Sequence, residues 1–130
     1  MFKGLFTALI TPFKNGEIDY AALEKIIEFQ ISEGVDGIVP MGTTGESPTL
    51  SFEEHNEFIK NVVDIVQKRV KIIAGTGANA TREAIFLSEE AEKAGVDGVL
   101  SVNPYYNKPT QNGLIEHFES VAKAISIPVV

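Results

Sequence analysis

The sequence predicts an α/β domain on a parallel sheet, covering about the first four βα units and the start of strand 5 of a (β/α)8 barrel. Short apolar runs alternate with amphipathic segments over all 130 residues, which is the pattern of βα units. The runs show no polar face, as expected of strands buried on both sides. Paired threonines and paired tyrosines follow predicted strands, and barrel active sites are built from such loops. A whole barrel takes about 250 residues. The alternative architecture is an open doubly wound sheet.

The first two units follow from their apolar runs and their helix-end residues. Their predicted strands are Leu5–Thr11 and Gly37–Met41. A turn at Lys14–Gly16 leads to a helix that Asp19 caps and Gly34 ends. The second helix spans about Ser51–Gln67 and starts with a capping box between Ser51 and Glu54. The apolar positions of the two helices are Leu23, Ile26, Ile27, Ile31, Phe58, Ile59, Val62, Val63 and Val66.

The third and fourth units repeat this pattern. Their predicted strands are Val70–Ala74 and Gly98–Val102. Thr81 is the predicted cap of a third helix that Gly95 ends, and the fourth helix spans about Asn112–Ile125. The apolar positions of these helices are Leu87, Ala91, Ala94, Leu114, Phe118, Val121 and Ile125. Ile127–Val130 begins a fifth strand.

An internal repeat supports the division into units. Gly34–Gly37 and Gly95–Gly98 are both Gly-Val-Asp-Gly, and each copy closes a predicted helix and enters a predicted strand. No linker or low-complexity segment interrupts the alternation, so residues 1–130 are predicted to form a single domain.

Composition narrows the class of protein. Hydrophobic residues make up 44% and charged residues 22%, as in ordinary globular domains. A net charge of −7 and a pI near 4.8 argue against nucleic-acid and anionic membrane partners. The sequence has no cysteine, no apolar run near the roughly 20 residues of a membrane span, and no signal-peptide pattern at Met1–Gly4. The lack of cysteine fits a reducing cytoplasm.

The loop Gly42–Glu46 is the first candidate site. It joins a strand to a helix and contains two glycines beside Thr43 and Thr44. Glycines let backbone amides face a ligand, and amides beside hydroxyls suit a carboxylate or a developing oxyanion. The alternative interpretation is a tight turn with polar residues.

Three further features have competing interpretations. Gly75-x-Gly77-x-x-Ala80 matches a dinucleotide-binding fingerprint. However, Asp97 precedes its strand, whereas the fingerprint places an acid at the strand's end.

His55 and His117 form no cluster of metal ligands, so no metal is expected, and His55 could simply lie at the edge of the core. Tyr105 and Tyr106, in a proline-flanked loop, are more typical of an interface or a site than of a core.

Four stretches together resemble one family. They are Thr7–Phe13, Gly37–Ser47 with Glu54 after it, Ala74–Thr81 and Pro104–Thr110. They are similar to dihydrodipicolinate synthase (4-hydroxy-tetrahydrodipicolinate synthase), a pyruvate-dependent class I aldolase, and the resemblance runs in register over the whole chain. The paired threonines favour this family over N-acetylneuraminate lyase, which usually has serine first and is the alternative.

The resemblance implies a cytoplasmic, homotetrameric TIM barrel that acts in the diaminopimelate route to lysine without a cofactor. Pyruvate would form a Schiff base with a barrel lysine, and the enamine would attack aspartate semialdehyde. By motif position, Thr44 would bind the pyruvate carboxylate and Thr43 would belong to a proton relay. Tyr106 would join that relay from the neighbouring subunit of a tight dimer. Such a relay moves protons without bulk solvent.

Family members that lysine inhibits bind it at the dimer interface. The matching positions are Ser47, His55, Asn79, Glu83 and Tyr105. Two neighbours depart from the inhibited pattern: Phe52 stands where histidine is frequent, and Pro48 where alanine occurs. These departures put feedback inhibition in doubt.

The family's later motifs would follow Val130. They are a Tyr-Asn-Val-Pro stretch with a relay tyrosine, a carboxylate-binding arginine and the Schiff-base lysine on the sixth strand. Lys71 lies at the wrong end of its strand and Lys108 lies in a loop, so neither replaces that lysine. We therefore expect residues 1–130 alone to be inactive. With open edges and an apolar inner face, they should also associate or fold only partly. The alternative is a non-catalytic half-barrel module.

Overall fold

The computed structural model describes residues 2–130 and contains six strands and four helices in that part of the chain. The strands are β1 (Phe6–Ala8), β2 (Phe13–Lys14), β3 (Glu17–Ile18), β4 (Gly37–Val39), β5 (Lys71–Gly75) and β6 (Gly98–Leu100). The helices are α1 (Tyr20–Ser32), α2 (Phe52–Val66), α3 (Thr81–Ala94) and α4 (Gln111–Ala124).

The main sheet is parallel and its strands lie in chain order, β1-β4-β5-β6. A parallel bridge between Val99 and Val129 adds the start of the predicted fifth strand beside β6. A doubly wound sheet would reverse its strand order at a switch point, whereas a barrel adds each strand beside the previous one. The strand order therefore favours the barrel.

The helices end where the sequence predicts. Asp19 accepts a hydrogen bond from the Ala22 amide, and Ser51 and Glu54 form the complete capping box. Gly34 and Gly95 follow α1 and α3 with φ of +84° and +97°, a conformation that glycine adopts at little cost. The helices bury a core against the sheet that includes Leu23, Ile27, Phe58, Ile59, Val62, Val66 and Ala91.

The Gly-Val-Asp-Gly repeat has a structural explanation. Asp36 Oδ2 accepts from the Leu5 amide at 2.7 Å, and the Asp36 amide donates back to Leu5 O at 2.9 Å. Asp97 Oδ2 accepts from the Ile72 amide at 2.9 Å, and the Asp97 amide donates back to Ile72 O. In both copies the aspartate joins its own strand to that of the preceding unit.

Several predictions need correction. β1 is much shorter than Leu5–Thr11, and a small β2–β3 hairpin forms around the predicted turn. Thr81 does not cap α3: Ala80 is the N-cap, and the Thr81 hydroxyl lies 2.9 Å from His117 Nδ1. On α4, Leu114 and Phe118 are only half-buried, and His117 takes the buried position instead.

Large apolar side chains near both ends of the sheet are exposed. They are Leu5, Ile10, Val102 and Val130. This exposure agrees with the expectation that residues 1–130 alone would associate, which stays a prediction. Within residues 2–130, every helix is too short or too polar to cross a bilayer.

Candidate functional site

A cavity of about 560 Å³ lies beyond the carboxyl ends of β4, β5 and β6. The loops after these strands form part of its wall, and the first two turns of α2 and α3 form the rest. Its polar and aromatic lining residues are Thr43, Ser47, Phe52, His55, Asn79, Glu83 and Tyr105. The structure thus brings together Thr43 and all five residues of the predicted lysine site.

The threonine loop is a single turn of 3-10 helix, Thr43–Gly45. The Gly45 amide donates to Gly42 O at 3.0 Å. Met41, two residues before the turn, and Glu46, directly after it, have φ of +56° and +58°. Thr43 and Thr44 are exposed, and no hydrogen bond within residues 2–130 engages their hydroxyls. Both hydroxyls can therefore donate to a bound anion.

His55 is a buried member of the cavity wall, with 2% of its surface exposed. Its Nε2–H donates to the Gly75 carbonyl at 2.9 Å, which leaves Nδ1 as an acceptor with no partner in the described part of the chain. Burial lowers the pKa of His55, and the bond to Gly75 offsets part of this effect. His55 thus lies at the edge of the core, as the simpler interpretation predicted, and also lines the cavity.

We expect the stability of the complete protein to fall as pH drops below about 6.5, the ordinary pKa of histidine. Burial lowers the pKa of both His55 and His117, so in acid the unfolded chain takes up protons that the folded chain refuses. The melting temperature measured from pH 8 to pH 5 checks this. His55→Gln keeps a donor for Gly75 but cannot titrate, so its melting temperature should fall less in acid. Equal slopes for variant and wild type would contradict the assignment.

Asn79 connects two of the loops around the cavity. Its Oδ1 accepts from the Tyr105 amide at 2.8 Å, and its carbonyl accepts from Asn107 Nδ2 at 3.3 Å. These bonds hold the tyrosine loop against the loop after β5. Tyr105 consequently lines the cavity, whereas Tyr106 points into solvent with 89% of its surface exposed and does not line it.

The glycines of the apparent dinucleotide fingerprint serve the packing of neighbouring loops. A Cβ on Gly75 would lie 2.1 Å from Met41 O, and one on Gly77 would lie 2.4 Å from the Val102 amide nitrogen. Real Cβ atoms do not approach backbone this closely, so both positions require glycine. The spacing is explained without a bound pyrophosphate.

Two buried hydroxyl contacts were not predicted. Thr11, at the end of the loop after β1, donates to Gly45 O at 2.6 Å. Thr76, after β5, lies 2.8 Å from the hydroxyl of Ser88 on α3. In both cases the sequence shows a threonine after a predicted strand. The partner of Thr11 lies in another βα unit and that of Thr76 lies in the second turn of α3, so neither partner can be identified from sequence spacing.

Comparison with known proteins places this geometry in one family. The model of the dihydrodipicolinate synthetase family matches residues 1–130. The 4-hydroxy-tetrahydrodipicolinate synthase of Leptospira biflexa serovar Patoc is 58% identical over 130 residues, which are 100% of this chain and 44% of that protein. This chain therefore spans less than half the length of such relatives.

Solved structures agree with this family assignment. The 4-hydroxy-tetrahydrodipicolinate synthase of Methylacidiphilum fumariolicum SolV matches with a TM-score of 0.98 and 58% identity, over 100% of this chain and 43% of its own. The dihydrodipicolinate synthase of Acinetobacter baumannii, solved in complex with pyruvate, matches with a TM-score of 0.96 and 48% identity, over 99% and 45%. These matches confirm the predicted fold: the chain corresponds to the N-terminal part of a TIM barrel.

Proposed function

This chain belongs to the dihydrodipicolinate synthetase family, and from this we infer that the complete protein condenses pyruvate with aspartate semialdehyde to 4-hydroxy-tetrahydrodipicolinate. The observation that carries the inference is 58% identity to a 4-hydroxy-tetrahydrodipicolinate synthase over every residue of the chain. The protein would be a cytoplasmic lyase of lysine biosynthesis through diaminopimelate.

The roles proposed for this chain's residues follow from their chemistry. The Thr44 hydroxyl donates to the carboxylate of pyruvate, since it is exposed and uncommitted beside a turn of backbone amides. The Thr43 hydroxyl, at the cavity wall, both accepts and donates a proton, as a relay requires. A lysine from the remainder of the barrel supplies the amine that attacks the pyruvate carbonyl.

Tyr106 completes the relay in a partner subunit. A tyrosine with 89% of its surface exposed, in a loop held by Asn79, is suited to enter a neighbouring molecule. The proposed assembly is a tight dimer of identical subunits, paired into a tetramer. The site is then incomplete in a monomer.

The cavity is proposed as a regulatory site for an amino acid. Glu83 supplies a carboxylate for an ammonium group, and Asn79 and His55 supply acceptors. Phe52 reduces the polarity of the cavity mouth and packs against Phe86 with ring centroids 6.0 Å apart. Lysine is therefore proposed to bind more weakly than in members with histidine at position 52.

The complete protein, assayed with pyruvate and either aspartate semialdehyde or N-acetylmannosamine, tests the proposed reaction. We expect turnover with aspartate semialdehyde and a much lower rate with N-acetylmannosamine. A site built for one acceptor leaves some of its buried polar groups unpaired when it holds the other, and this lowers the rate by about 10²-fold or more. Borohydride added with pyruvate should inactivate the enzyme, since it reduces a Schiff base. Turnover of N-acetylmannosamine alone would show that the protein is instead an N-acetylneuraminate lyase. No inactivation by borohydride would contradict the Schiff-base mechanism.

A further inference from the structure

We propose that Thr11 is a positioning residue that holds the Thr43–Gly45 turn in its substrate-binding conformation; this inference rests on the proposed function. Its hydroxyl donates to the Gly45 carbonyl at 2.6 Å, across 34 positions of sequence. Thr11 belongs to the first βα unit and the turn to the second, so this bond joins the turn to the loop after β1, which lies outside its own unit.

The contact lies where a hydrogen bond is costly to lose. Thr11 is 5% exposed and Gly45 is buried. Removing the hydroxyl would leave the Gly45 carbonyl inside the protein without its partner, and an unpaired buried carbonyl destabilises its conformation. The alternative for the carbonyl is to rotate toward water, which reorients the peptide groups of the turn.

The turn also depends on contacts from outside itself. Met41, two residues before the turn, and Glu46, directly after it, lie in the left-handed region, which residues with a Cβ adopt at a cost. A Cβ on Gly45 would lie 3.2 Å from Leu9 O and 3.5 Å from Thr11 Oγ1, so the chain after β1 packs directly on the turn. Leu9 is itself held by donation of its amide to Val39 O at 3.0 Å. Within residues 2–130, Thr11 adds the one side-chain hydrogen bond between these segments.

Thr43 and Thr44 follow the orientation of this turn because they are its first two residues. If the Gly45 peptide rotates, both hydroxyls move relative to the bound carboxylate and to the proton relay. The loss should therefore appear in pyruvate binding and in turnover together, although Thr11 itself does not touch substrate.

The test compares Thr11→Val, Thr11→Ser and Thr76→Val in the complete protein. Thr11→Val keeps the shape and removes the hydroxyl, and we expect a higher KM for pyruvate, a lower kcat and an overall loss in kcat/KM of about five- to thirty-fold. Thr11→Ser restores the donor and should recover most of the loss. Thr76→Val removes a buried hydroxyl that bonds Ser88 on α3, so it should lower the melting temperature and leave the KM for pyruvate unchanged.

Hydrogen exchange provides a measurement that does not depend on catalysis. The Gly45 and Glu46 amides donate within the turn, and in Thr11→Val a peptide covering them should exchange faster than in wild type or Thr76→Val. Unchanged exchange there would overturn the positioning role, even if the wild-type protein proves inactive and the proposed function fails. Wild-type activity with wild-type kinetics in Thr11→Val would also overturn it.

Discussion

A polypeptide of residues 1–130 alone is expected to form no stable adduct with pyruvate and to show no synthase activity. Schiff-base formation needs an unprotonated amine, and an amine in water is almost fully protonated at neutral pH because the reference pKa of lysine is about 10.4. All lysines of the chain are exposed: Lys3, Lys14, Lys25, Lys60, Lys68, Lys71, Lys93, Lys108 and Lys123. None of them lines the cavity.

Three of these lysines are engaged in ion pairs. Lys71 pairs with Asp97 at the amino end of β5, away from the cavity. Lys93 pairs with Glu90 on α3, and this contact raises the pKa of the Lys93 ammonium. Lys123 pairs with Glu119 on α4.

Borohydride reduction in the presence of pyruvate, followed by intact-mass measurement and peptide mapping, checks this expectation. A full-length relative treated in the same way is the positive control and should gain one reduced pyruvate per subunit. Adding a second polypeptide that carries the remaining strands should restore an adduct on that second polypeptide. A stoichiometric adduct on one lysine of residues 1–130 would show that the nucleophile lies in this half.

The second large effect is expected for Thr44→Val in the complete protein, with a loss of about ten- to a hundred-fold in kcat/KM for pyruvate. Valine keeps the shape of threonine but removes the hydroxyl, and a hydrogen bond to a charged group contributes about 1.5–3 kcal/mol. The Thr44 side chain is exposed and bonds nothing in the described chain, so the fold should be unaffected.

Thr44→Ser is the matched control, because it keeps the donor at the same position and should retain most of the activity. Melting temperatures of both variants should stay near that of wild type, since surface substitutions usually change stability by less than about 0.5 kcal/mol. Wild-type kinetics for Thr44→Val would assign Thr44 to the structure of the turn only.

Much of the fold could be predicted because its signals are local. The capping box at Ser51, the cap at Asp19 and the glycines after α1 and α3 each act within one turn of helix. Where a side chain has a distant partner, local rules fail. Threonine is common at N-caps, which is why Thr81 was the predicted cap. Its hydroxyl instead pairs with His117, 36 residues away, and the helix begins without a side-chain cap.

The candidate site likewise combines residues that the sequence identified with a contact that only the structure shows. The motifs identified Thr43, Ser47, His55, Asn79, Glu83 and Tyr105, and the structure gathers them around one cavity. The roles proposed for Thr43, Thr44 and Tyr106 stay predictions. The bond from Thr11 to Gly45 could not be predicted, because it joins segments that are adjacent only after β1 and β4 have paired.

The sequence by itself determined the alternation of strands and helices, the family resemblance and the loops that carry the candidate residues. These features depend on hydrophobic periodicity, backbone preferences and motif spacing, all of which act along the chain. Only the tertiary structure decided the strand order, the depth at which His55 is buried and the need for glycine at 75 and 77. Each of these depends on close packing between segments far apart in sequence, and such contacts exist only once the sheet has assembled.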